Sequence, residues 1–251
     1  REDLFRSIEA APEEGFNSDD YHHSYLEQAL AHLADLDEEE LGLTEIILTD
    51  AFFCLSSHIE AGKVNPKDLY GIWDVEVNQP NPAQLLNTAV AQNNLQKVLD
   101  SIKPKHSVYQ GLKKSLKDYR ELAASEDSLI KIEEGESIKP GEEDPRLKSI
   151  ARRLQQLGYY KEFSADSALV YNEDFQKEVE RFQRQYGIEG DAVIGKGTIE
   201  NLNRSAKDRY LQILANLERW RWYPRDLGEH YIIVNIPNYR LHIVKNGDTI
   251  A

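Results

Sequence analysis

Asp144-Pro145-Arg146-Leu147-Lys148-Ser149-Ile150-Ala151-Arg152-Arg153-Leu154-Gln155-Gln156-Leu157-Gly158 carries a start signal, an apolar face and a stop signal for one helix. An acid followed by proline opens a helix in the favoured order: the carboxylate caps free N–H groups, and the proline sits where its missing N–H costs nothing. Leu147, Ile150, Leu154 and Leu157 then recur at steps of three and four, the period of one helix face, and Gly158 suits the C-terminal cap. The same pattern returns downstream. Phe175, Val179, Phe182 and Tyr186 predict a helix over 172–186 capped by Gly187, and a short one begins near Thr198 with Ile199 and Leu202 inward. Ser205 to Trp220 predicts another, ending in the aromatic and basic run Trp220-Arg221-Trp222-Tyr223-Pro224.

Working outward toward the N-terminus, residues 126–143 read as a linker, because Gly135, Pro140 and Gly141 stand among acids; Leu129–Ile132 suggests a short strand within it. Residues 21–125 carry helical periodicity throughout. A long helix is expected over 39–61, stopped by Gly62 and Pro66, and the stripe Tyr109, Leu112, Leu116, Tyr119, Leu122 reads as core. Residues 1–20, polar and broken by Pro12, Gly15 and Asn17, are expected to form a flexible arm. Toward the C-terminus, residues 205–229 form a connecting helix and linker. His230–Ile236 and Tyr239–Val244 then turn β-branched, a hairpin pattern with turn signals at Pro237-Asn238 and Asn246-Gly247.

Composition narrows the function. At 40% hydrophobic and 29% charged residues the chain reads as globular, and its 251 residues suit about two domains. The net charge of −14 argues against nucleic acid as a partner, and no apolar run is long enough for a membrane span. With no Met at all, the chain reads as processed or trimmed, any targeting segment already removed. The single cysteine, Cys54, excludes an internal disulfide; set in an apolar helical run without basic neighbours, it reads as a core residue rather than a nucleophile. His22-His23 and the acidic run 35–40 lack metal-ligand spacing, so neither a metal nor a cofactor is expected.

Two stretches resemble known families. Leu154 to Tyr160, then Phe182-Gln183-Arg184-Gln185-Tyr186-Gly187-Ile188, Gly190-Asp191, Gly195 and Thr198 to Leu202 resemble the three-helix peptidoglycan-binding module of cell-wall enzymes, over residues 144–204. Where that pattern usually shows Asp-Gly, this sequence has Gly190-Asp191-Ala192, which leaves the turn geometry open. Asn216-Leu217-Glu218-Arg219-Trp220-Arg221-Trp222, followed by the strand pair, resembles the entry to the catalytic domain of large, scaffold-bearing L,D-transpeptidases. Leu48-Thr49-Asp50-Ala51, Gly62 to Pro66, Leu99 to Pro104 and Tyr109 to Arg120 resemble that family's scaffold in order and spacing.

The fold class expected is therefore mainly α: a helical scaffold domain and a three-helix peptidoglycan-binding module. A short β-hairpin at 230–251 would begin a truncated β catalytic domain. The resemblance implies a periplasmic acyltransferase that cross-links stem peptides through a cysteine thioester and is acylated by carbapenems. The family's nucleophile motif is not met by Cys54 or any histidine, so no catalytic residue is carried over. Peptidoglycan, through its stem peptides and glycan, is the partner implied. Candidate contacts are Tyr159 and Tyr160, which could stack on sugar, and Arg181, Arg184 and Gln185, on the helix face opposite Phe175, Val179 and Phe182, which could meet a carboxylate. Ordinary core packing and surface charge are the competing readings. Trp220, Arg221 and Trp222 are expected to dock the connecting helix against the sheet. A stand-alone, non-catalytic cell-wall binding protein remains the alternative, and a helical adaptor with chance similarity is the third reading.

Overall fold

The computed structural model describes residues 1–125, 129–159, 170–235, 239–246 and 248–250. It is mainly helical, with eleven α-helices among the described residues and a short three-stranded antiparallel sheet. Two units divide the chain: Arg1–Glu121, Tyr210–Tyr231 and Ile243–Ile250 form the first, and Leu122–Arg209 with Ile232–His242 the second.

The first unit corrects the reading of residues 1–20. They are not a flexible arm but helix α1 (Glu2–Glu9) and two 3-10 turns, Ala11–Glu14 and Ser18–Tyr21. Leu4, Ile8 and Ala11 lie at helical spacing and are buried with Phe16 and Tyr21. The residues that looked like chain breakers serve as turn formers. Pro12 sits in the first positions of its 3-10 turn, Gly15 closes that turn at φ +81°, and Asn17 caps the next by accepting the Asp19 N–H.

Helices α2 (His23–Ala31) and α3 (Glu38–Ala61) follow. A capping box between Asp37 and Glu40 starts α3, and Gly62 ends it. Leu48, Ala51, Phe52, Leu55 and Ile59 form its buried face, packed with α1 and α6 residues into one cluster. Truncating Phe52 to alanine in such a site costs about 3–5 kcal/mol. Next come α4 (Pro66–Leu69), α5 (Pro82–Gln92), α6 (Leu95–Ile102) and α7 (Ser107–Ser125). Asn65, Asn81 and Asn94 cap α4, α5 and α6 through their side-chain oxygens.

The second unit holds α8 (Leu147–Gln156), α9 (Glu173–Gln185) and α10 (Lys196–Leu202). Leu147, Ile150 and Leu154 meet Phe175, Val179, Phe182, Ile199 and Leu202 in one core. Helix α8 starts later than its Asp-Pro signal predicts. Asp144 accepts from the Arg146 backbone N–H (2.8 Å) and from its guanidinium Nε (2.9 Å), closing a turn on the Arg146 side chain instead of capping the helix. Those bonds hold the Asp144 carboxyl below its ordinary range. The expected linker is also tied down across 129–143. Ile132 and Ile138 are buried in this core; Ile138 bridges Ile194, and no strand forms at 129–132. The Asn203 side-chain amide replaces a strand partner, accepting the Ile132 N–H and donating to the Ile132 carbonyl, both at 2.8 Å.

Helix α11 (Ala206–Trp222) begins in a reciprocal cap between Ser205 and Asp208 and runs two residues beyond the expected end. Strands β1 (His230–Asn235), β2 (Arg240–Lys245) and β3 (Asp248–Thr249) lie in the order β1-β2-β3. Val244 pairs with Thr249 and Lys245 with Asp248, and Asn246 takes φ +52° in the turn between them, as the Asn-Gly signal requires. The expected Pro237-Asn238 turn lies outside the described residues.

Candidate functional site

Helix α9 presents the candidate binding face of the second unit. Arg181, Arg184 and Gln185 are exposed on it. Arg181 pairs with Glu178 at 2.7 Å and donates to the Tyr159 carbonyl at 2.9 Å, its guanidinium 4.9 Å from the centre of the Tyr159 ring. Arg184 pairs with Glu180 at 2.8 Å and lies over Gly190, where an added Cβ would come within 2.7 Å of the guanidinium Nε. Tyr159 is 6% exposed, its ring edge-on to Phe182 at 5.5 Å, so it joins the core and lends the surface only the ring face beneath Arg181. Tyr160 lies outside the described residues.

Sequence reasoning missed two buried polar residues that shape this unit. Gln183 is fully buried. Its Nε2 is within hydrogen-bond distance of Asp191 Oδ1 (3.1 Å), the Val193 carbonyl (2.9 Å) and Thr198 Oγ1 (3.2 Å), and its Oε1 accepts the Ala192 N–H at 3.0 Å. Its position four residues after Val179 is the signal that could have found it. These bonds fix the 190–195 turn. There Ala192 takes φ +59°, the left-handed region that disfavours any side chain. Arg153, 1% exposed, donates to the carbonyls of Leu202 (2.9 Å) and Arg204 (2.7 Å), a cation set at the C-terminal end of α10 where the helix dipole favours it.

In the first unit, the run at the end of α11 meets the 3-10 turn at Glu14, Tyr109 of α7 and loop residues, Phe16, Trp73 and His106 among them. Arg221, 2% exposed, donates to the Glu14 carbonyl, to Tyr109 Oη (3.1 Å) and to Glu218 Oε2 (3.2 Å), and lies 4.1 Å over the Phe16 ring. Trp222 is edge-on to Trp73 at 5.6 Å, and Trp220 meets His106 at 5.1 Å. Glu218 reaches back to accept the Val64 N–H at 2.8 Å. A side chain at Gly62 (φ +85°) would strike Glu218 and crowd the Trp222 indole nitrogen. Arg225, also absent from the sequence reading, donates to the carbonyls of Ile102 (2.9 Å), Ile59 (3.0 Å) and Glu60, joining the ends of α6 and α3. Glu14 sits beneath this assembly, accepting from Tyr109 Oη (2.8 Å) and paired with Lys103 and Lys113. Burial pushes its carboxyl upward, but the two lysines and Tyr109 outweigh that and hold it below the ordinary value.

Cys54 lies half-buried on α3 with Sγ 3.9 Å from Asp50 Oδ2, and burial and the neighbouring carboxylate raise its pKa. That setting opposes thiolate formation, the reverse of what a nucleophile needs. Among the described residues no three His, Cys, Asp or Glu side chains converge as a metal centre requires.

Comparison with known families supports a cell-wall enzyme-like architecture. Residues 1–116 match the family described as a Scaffold domain, and residues 143–202 match the family described as a Putative peptidoglycan binding domain. No curated protein matches the chain. The second match supports peptidoglycan as partner and association with the cell wall. No helix among the described residues is long and apolar enough to cross a membrane.

Proposed function

We propose that this chain is the scaffold and peptidoglycan-binding portion of a periplasmic L,D-transpeptidase, an enzyme that cross-links stem peptides through a cysteine acyl-enzyme. The second unit docks on the wall, with Arg181, Arg184 and Gln185 as its polar contacts, and the first unit anchors α11. No residue of this chain is assigned to the bond-making step. The observation that carries the reading is residues 216–222. The residues that resemble the family's entry to its catalytic domain are the ones committed to the scaffold: Glu218 to Val64, Arg221 to Glu14 and Tyr109, Trp222 to Trp73. A helix end so heavily anchored gives a following domain a fixed point of departure. The alternative, a non-catalytic wall-binding protein, draws on the same module matches and on the unreactive setting of Cys54.

The test is mass spectrometry of the gene product as its own cell makes it, after exposure to a carbapenem, alongside pelleting with purified sacculi. Co-sedimentation with one drug adduct on a cysteine other than Cys54 supports the transpeptidase. Co-sedimentation without an adduct moves the assignment to the wall-binding protein, and failure to co-sediment defeats both.

A further inference from the structure

A groove of about 700 Å³ lies in the first unit between the 3-10 turn Ala11–Glu14 and α7. That is within the range of small-molecule and peptide sites. Pro12 and Leu116 supply apolar surface, and Lys113, Lys114, Lys117 and Arg120 line it with four cations. In a chain of net charge −14 this is a local reversal of sign. Lys113 is engaged with Glu14, but Lys114, Lys117 and Arg120 have no ion-pair partner among the described residues. A concave, partly apolar surface whose lining has more cations than carboxylates raises the local concentration of anions.

We infer that this groove binds a short peptide carrying both carboxylates and a free amine, the chemistry of a peptidoglycan stem peptide with a diamino acid. Glu13 and Asp118 share the lining with the four cations. Two carboxylates there repel a dense polyanion such as a polyphosphate, yet they offer a partner to an ammonium group. Spacing points the same way. From Lys113 to Arg120 the helix rises about 10 Å, at about 1.5 Å per residue. An extended peptide covers that distance in about three residues, so carboxylates two or three residues apart reach cations toward opposite ends of this stretch. The inference rests on peptidoglycan being the partner and adds a second, peptide-reading site to the module's own surface.

Calorimetric titration of the full chain with a synthetic stem tetrapeptide containing a diamino acid tests it. The comparison probes are the same peptide with its carboxylates amidated and inorganic polyphosphate. The expected result is binding of the free-acid peptide that weakens with salt, falls at least tenfold on amidation, and falls at least tenfold in the Lys114→Glu, Lys117→Glu double variant. Both positions are exposed, so the variant should fold, and circular dichroism checks that it does. Equal affinity in the variant and the unaltered protein overturns the inference, as does binding of polyphosphate in place of the peptide. Sacculus pelleting of the unaltered protein separates the two levels: pelleting without peptide binding defeats the groove alone, and no pelleting defeats the peptidoglycan partner itself.

Discussion

Changing Gln183 to glutamate alters one heavy atom of a buried side chain and should remove a large part of the second unit's stability in a pH-dependent way. Gln183 Nε2 faces three acceptors, at 3.1, 2.9 and 3.2 Å. In the Gln183→Glu variant the donor becomes an oxygen, aimed at the Asp191 carboxylate and the Val193 carbonyl. The lost bonds cost about 1 kcal/mol each, and an uncompensated buried charge adds enough to bring the total to about 3–5 kcal/mol at neutral pH. Small domains have only about 5–15 kcal/mol in all. Burial and Asp191 raise the folded-state pKa of the introduced carboxyl above its unfolded value. A group with that shift stabilises the fold below the unfolded pKa and loses its contribution as pH rises through the folded one. The deficit should therefore shrink near pH 4, where the protonated acid can again donate. Urea denaturation followed by circular dichroism at pH 4.5 and 7.5 measures this. A loss under about 1 kcal/mol at pH 7.5, or the same loss at both pH values, would refute the assigned role of Gln183 in holding the 190–195 turn.

At the neighbouring position the left-handed φ of Ala192 predicts an order of stability, glycine at least equal to alanine and both above valine. The strain of about 1–2 kcal/mol on an L residue is partly offset in glycine by its greater unfolded-state freedom. Thermal melts of Ala192→Gly and Ala192→Val check it, and a valine variant as stable as the parent contradicts the backbone assignment. Glu14, whose folded pKa is lowered, contributes stability that is present above its unfolded pKa and lost as pH falls through the folded value. Glu14→Gln should therefore be less stable at pH 7 and show a shallower acid limb in a pH titration of melting temperature. A parallel limb in parent and variant would assign the acid sensitivity elsewhere. Cys54, with its raised pKa, should react slowly with a thiol reagent at pH 7 and take no carbapenem adduct; intact mass after drug treatment decides that.

Much of the fold was legible because it is written in apolar spacing. The buried faces of α3, α8 and α9 recur at helical period, and Gly62, Gly158 and Gly187 mark helix ends with positive φ. What misled was local chemistry whose meaning depends on where the chain goes next. Pro12, Gly15 and Asn17 read as breakers when Leu4, Ile8, Ala11 and Phe16 are too sparse to suggest a core by themselves; their partners lie on α3 and α6, far along the chain. Asp144 read as a helix cap because nothing local showed that its own neighbour Arg146 would claim it.

The candidate site was less legible than the fold for a related reason. An exposed arginine such as Arg184 looks the same in sequence as Arg153 or Arg221, yet those two are among the most buried side chains of the protein. Burying a guanidinium is affordable only where acceptors converge, and in each case they come from a distance: the end of α10 for Arg153, Glu14 and Tyr109 for Arg221. Spacing along one helix cannot show that convergence. It follows that charge in this chain must be sorted by partner before it is assigned to binding. Arg153 and Arg221 are structural by that test and Arg181 is half committed to Tyr159. The α7 cations Lys114, Lys117 and Arg120, which no sequence pattern distinguished, line one groove and make no ion pair among the described residues, so the proposed peptide site rests on them rather than on the arginines of α9.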